Sequence, residues 1–109
     1  MSSITTHVLD MATGQPAADI PVTLEFNDGV SKSWIEVGRA KTDFDGRVLR
    51  DLLARETLEA GTYCLRFDTT AASAFFPEVS IQFRVADTLR DYHVALLLGP
   101  YGYVTYRGS

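Results

Sequence analysis

The sequence predicts an all-β sandwich, two packed sheets with at most one short helix. Period-two alternation of apolar and polar residues recurs in separate runs, most clearly at Ile20–Phe26, Thr62–Asp68 and Glu78–Ala86. Gly, Pro, Asn and Asp clusters punctuate the chain at short intervals between those runs. Only Thr69–Phe75, Ala-rich and bounded by Pro77, has a composition that suits a short helix. Many short strands with turn signals between them indicate a sandwich.

In chain order, Thr5–Met11 reads as a first strand, and Gly14 and Pro16 mark the loop that follows. Ile20–Phe26 sets Ile20, Val22, Leu24 and Phe26 on one face against Thr23 and Glu25, with Pro21 tolerated near the strand start. Asn27-Asp28-Gly29 turns the chain into Ser33–Thr42, a strand around Trp34, Ile35 and Val37. Asp43-Phe44-Asp45-Gly46 is a second turn signal, followed at once by Arg47. Asp43 and Asp45 suit Asx-type hydrogen bonds there. Val48–Leu53 is compatible with a short strand or a turn of helix. Thr62–Asp68 and Glu78–Ala86 are strands. Tyr92–Leu98 and Tyr103–Tyr106 flank Gly99-Pro100-Tyr101-Gly102 and read as a closing hairpin or β-corner.

With 109 residues the chain forms one domain, 1–109, large enough to bury roughly two thirds of its unfolded surface. A hydrophobic content of 46% and a charged fraction of 22% are ordinary globular values. The net charge of −4, without a basic run, disfavours nucleic-acid binding. No apolar run approaches the roughly 20 residues of a membrane span. The N-terminal residues carry neither a basic nor an apolar signal segment, so a cytoplasmic location is expected. Cys64, the single cysteine, reads as a small core residue.

Candidate chemistry centres on the two histidines, His7 and His93, each within a strand. By strand alternation His7 shares a face with Thr5 and Leu9, and His93 shares one with Ala95 and Leu97. Each histidine by itself is compatible with a structural role. Two aligned on one sheet face would form a catalytic pair, because imidazole titrates near neutrality. Arg47 and Arg107 are either solvated surface cations or guanidinium forks for a planar, partly anionic ligand. No HExxH or CxxC spacing, phosphate loop or GxSxG elbow is present. No metal or other cofactor is therefore expected.

Four motifs carry a resemblance: Thr-His-Val-Leu-Asp from Thr6 to Asp10, Thr-Asp-x-Asp-Gly-Arg from Thr42 to Arg47, Tyr-His-Val before three leucines, and the closing Tyr-Gly-Tyr-x-Thr-Tyr-Arg-Gly-Ser. In that order they resemble the 5-hydroxyisourate hydrolases, the transthyretin-related proteins of urate degradation. The resemblance implies a transthyretin-like sandwich of two four-stranded sheets. It implies a homotetramer, a dimer of dimers, with sites in a channel between dimers. It also implies catalytic roles for His7, Arg47, His93 and Ser109, and substrate contacts from Tyr106, Arg107 and Gly108. On this view a histidine takes a proton from water while Arg47 and Arg107 hold the heterocycle's oxygens, and Ser109 or Tyr106 orients the ring or relays a proton. Which histidine is the base stays open.

The chain departs from the family's usual residues in three places. Ala95 stands where proline is common, and Gly99 and Val104 stand where serine is usual. None of the three removes a residue with an implied chemical role. A non-enzymatic carrier that holds a small aromatic anion in the same channel is the competing class. A carrier needs a complementary hole and has no requirement for two histidines and a terminal Tyr-Arg-Gly-Ser.

Overall fold

The computed structural model describes residues 3–50, 52–53 and 57–108. Eight strands are formed: β1 (Ile4–Asp10), β2 (Pro21–Asn27), β3 (Ile35–Lys41), β4 (Arg47–Val48), β5 (Gly61–Asp68), β6 (Glu78–Val85), β7 (Tyr92–Leu98) and β8 (Tyr103–Gly108). They divide into two four-stranded sheets, in the orders β4-β1-β7-β8 and β3-β2-β5-β6. All pairings are antiparallel except β1 with β7, which run parallel.

The alternation in the sequence decides which faces meet. From the first sheet Ile4, Val8, Val48, Val94, Leu96 and Leu98 are buried, and from the second Val22, Leu24, Leu65, Phe67, Val79 and Val85. Burying such a side chain stabilises the fold by about 1.5–3 kcal/mol, so this shared layer dominates the packing. Thr6 lies in the same layer, its hydroxyl donating to the Val94 carbonyl at 2.7 Å. Cys64 is buried as expected, although it points to the other face of β5 from Tyr63 and Leu65.

The short helix expected at Thr69–Phe75 is not formed, and the described residues contain no helix. The segment makes one turn, in which the Thr69 carbonyl accepts from Ala72 N at 3.1 Å and Ser73 N at 2.9 Å. The Thr69 hydroxyl then donates to the Phe76 carbonyl, and Ser73 Oγ accepts from Phe76 N at 3.1 Å. Side-chain bonds of this kind compete with helical ones, and a single turn cannot offset the cost of helix nucleation. After Arg47 only Val48 remains in the strand, so the Val48–Leu53 segment is mostly loop. Asp51 lies outside the described residues. No helix among the described residues is long and apolar enough to cross a membrane.

Candidate active site

The sheet β4-β1-β7-β8 has one face in the core and one turned away from it. Three rows cross the outward face. In the first, Thr5 on β1 lies beside His93 on β7, which lies beside Gly108 on β8. In the second, Arg47 on β4 pairs with His7, His7 with Ala95, and Ala95 with Tyr106. A third row, Leu9, Leu97 and Val104, is apolar. Four strands from distant parts of the chain thus bring Arg47, both histidines, Tyr106 and Gly108 to one face. The parallel register accomplishes this, because it places β1 and β7 side by side with matching alternation.

The turn at Asp43–Gly46 fixes two of these groups. Asp43 Oδ1 accepts from the backbone N–H of Asp45 and of Arg47, both at 2.9 Å. That is the Asx arrangement expected there, and it holds Arg47 at the start of its strand. The same turn presents the Asp45 carbonyl to His7 Nε2 at 2.9 Å. A carbonyl only accepts, so neutral His7 carries its proton on Nε2, and Nδ1 is its remaining basic nitrogen.

His93 is bound differently. Its Nδ1 lies 2.7 Å from Thr5 Oγ1, while Nε2 has no hydrogen-bond partner among the described residues. Burial lowers the pKa of His93 below its ordinary 6.5, and the charges of Arg47 and His7 push it the same way. At neutral pH it is an uncharged imidazole able to accept a proton. On its other side the ring rests against Gly108. A β-carbon there would lie 2.5 Å from His93 Cδ2, closer than carbon atoms approach.

Arg107 is not brought to this face. Adjacent residues of a strand point oppositely, and Arg107 pairs with Val94 rather than with His93 or Ala95. Its guanidinium sits 4.6 Å from the centre of the Tyr92 ring, a cation–π contact on the far side of the sheet. Within this chain it therefore lies on the opposite face of the sheet from Arg47. Ser109 lies outside the described residues. Tyr106 is on the histidine face and half exposed.

Thr5 and the Asp45 carbonyl are site groups that sequence reasoning missed. The shared face of Thr5 and His7 is legible from alternation, but the Thr5–His93 pair joins residues 88 positions apart and depends on the parallel register. Ala95, buried between His7 and Tyr106, forms a flat floor. Gly99 closes the β7–β8 turn through its N–H to the Gly102 carbonyl at 2.8 Å. Val104 falls on the histidine face, two residues from Tyr106, and makes that end of it apolar.

The HIUase/Transthyretin family model matches residues 4–108. The chain belongs to that family. Among its relatives is the 5-hydroxyisourate hydrolase of Caulobacter vibrioides, 42% identical over 119 residues that cover all of both chains. The uric acid degradation bifunctional protein TTL of Arabidopsis thaliana is 45% identical over 97% of this chain, which spans only 37% of that protein. Among solved structures, Klebsiella pneumoniae 5-hydroxyisourate hydrolase superposes with a TM-score of 0.81 at 32% identity, covering all of both chains. The family's sandwich is thus observed here with its two four-stranded sheets.

Proposed function

We propose that the chain hydrolyses 5-hydroxyisourate to 2-oxo-4-hydroxy-4-carboxy-5-ureidoimidazoline, a ring opening in urate degradation. The observation that carries the reading is the meeting of neutral His93, its Nε2 without a hydrogen-bond partner among the described residues, with His7 and Arg47 on one sheet face. In the reaction His93 Nε2 takes a proton from water as its oxygen attacks a ring carbonyl. The carbonyl oxygen becomes an oxyanion, and the guanidinium of Arg47 stabilises it. His7, a donor to Asp45 through Nε2, stands beside Arg47 to orient the heterocycle, and Tyr106 borders the ring. Collapse of the tetrahedral intermediate breaks the ring C–N bond, and the proton held by His93 passes to the leaving nitrogen. Ser109 keeps its proposed place as a proton relay or orienting hydroxyl.

Half-exposed Tyr103, Val104 and Tyr106 lie on β8, which is an edge strand. Apolar side chains on an edge of this kind favour covering by another subunit. This supports a homotetramer, a dimer of dimers, with the histidine face lining a channel between subunits. A cytoplasmic location accompanies this proposal. The carrier reading draws on the apolar row Leu9, Leu97 and Val104, but it leaves the histidine–arginine grouping without a purpose.

The test follows the ultraviolet decay of freshly generated 5-hydroxyisourate with wild-type protein and with Arg47→Met. Decay well above the spontaneous rate, reduced by about 100-fold or more in the variant, is the expected result. Spontaneous decay in the presence of a folded wild-type protein would favour the carrier. Gly108→Ala offers a second check without removing any functional group. The added methyl displaces the His93 ring, so kcat is expected to fall by roughly 10- to 100-fold. Unchanged kcat in that variant would show that the ring position is not critical.

A further inference from the structure

We infer that Thr5 is a positioning residue that holds the His93 ring in one orientation and keeps its proton on Nδ1, leaving Nε2 as the base. The inference rests on the hydrolase reading of this face and assigns it a further residue.

The ring lies between two strands. Its Nδ1 edge meets the Thr5 hydroxyl of β1 at 2.7 Å, and its Cδ2 edge is pressed against Gly108 of β8. Turning the ring over would exchange those edges. A carbon would then face the hydroxyl, Nδ1 would lie over Gly108, and the hydrogen bond would be lost. Thr5 is therefore the group that distinguishes the two orientations, since Gly108 offers no side chain to prefer either.

The same contact bears on the proton. A base that collects a proton at Nε2 carries hydrogen on Nδ1 both before and after the transfer. Its partner at Nδ1 must accept throughout, and a hydroxyl oxygen can. In triads a carboxylate has this duty, fixing the tautomer of its histidine. A hydroxyl can accept from or donate to Nδ1; here Thr5 is assigned the accepting role on this half-buried face, without adding a negative charge that would compete with an anionic substrate for Arg47. His7 is locked the opposite way, with Nε2 protonated toward Asp45. With Thr5 as acceptor, the two histidines present different nitrogens to substrate, Nε2 of His93 and Nδ1 of His7.

The experiment uses full-length protein labelled with nitrogen-15 at histidine, read by long-range proton–nitrogen correlation beside steady-state ring opening. With two histidines in the chain, His7→Gln suffices to assign the signals. Wild type is expected to show His93 protonated at Nδ1 and unprotonated at Nε2. Thr5→Val, of the same shape without the hydroxyl, is expected to mix the tautomers and lower kcat by roughly 10- to 100-fold, with KM changed by less than about threefold. Thr5→Ser should restore both the spectrum and most of the rate. A wild-type ring protonated at Nε2, or a Thr5→Val protein with an unaltered ring spectrum, overturns the inference. If the tautomers behave as expected but wild type opens no 5-hydroxyisourate, the hydrolase reading fails while the role of Thr5 at His93 stands.

Discussion

Replacing His93 by asparagine is expected to lower kcat for ring opening by about 100- to 10,000-fold, the range that a positioned general base contributes. The side chain is half-buried on the outward face and contributes no packing to the core, so the melting temperature should hardly move. The pH profile of wild type gives a second reading. Burial, reinforced by Arg47 and His7, lowers the pKa of His93, so its basic form persists below 6.5. The acid limb of kcat/KM is therefore expected at lower pH than for an ordinary histidine. Activity falls as pH drops through that limb, because protonation removes the base. A limb on the alkaline side near neutrality would instead assign His93 to proton donation. Folding responds to the same shift. Between the folded and unfolded pKa values the unfolded chain binds more protons, so this group's contribution to stability declines as pH falls through that interval.

Gly46→Ala is expected to destabilise the protein by about 2–4 kcal/mol, a large fraction of a small domain's stability. Gly46 has φ of 76°, where a β-carbon is strained, and the added atom would lie 2.4 Å from the Val8 carbonyl oxygen. The neighbour that must give way is backbone. It belongs to the central strand β1, and its carbonyl already accepts from Ala17 N at 2.9 Å. The Gly46 carbonyl in turn accepts from Val8 N at 2.7 Å, so displacing the turn breaks a bond to the same residue. Chemical denaturation should show the midpoint falling, and the melting temperature should drop by about 10–20 °C. Activity should fall further than stability, because the turn carries both Arg47 and the carbonyl that holds His7. A change below about 0.5 kcal/mol would show that the turn yields freely and that Arg47 is not held by it.

Much of this was legible in the residues. Alternation at Val22, Leu24 and Phe26, and again at Tyr63, Leu65 and Phe67, marked the core-facing sides of β2 and β5, and these residues are buried. The Asp-Phe-Asp-Gly turn signalled both its own geometry and a fixed arginine after it. What alternation cannot supply is the neighbour across a sheet. Nothing local in Ile4–Asp10 announces that it runs parallel to Tyr92–Leu98, so the contact between Thr5 and His93 was out of reach. Arg107 was grouped with the histidines through the Tyr-Arg-Gly-Ser resemblance, yet counting along β8 from Tyr106 already sends it to the other face. The helix expected at Thr69–Phe75 failed because composition ignores the hydroxyls of Thr69 and Ser73, which tie the segment into a turn.

The parallel pairing of β1 with β7 also has a kinetic consequence. Thr5 and His93 are separated by 88 positions, so the chain must close a loop of nearly its whole length before they meet. Contacts so distant in sequence slow folding, and during synthesis the partner strand leaves the ribosome long after the first. Until then Ile4, Val8 and the backbone edge of β1 lack their neighbour, and that interval is when the nascent chain is most prone to aggregate. Catalysis, which requires both strands in register, would be the last property the molecule acquires and the first it loses on unfolding.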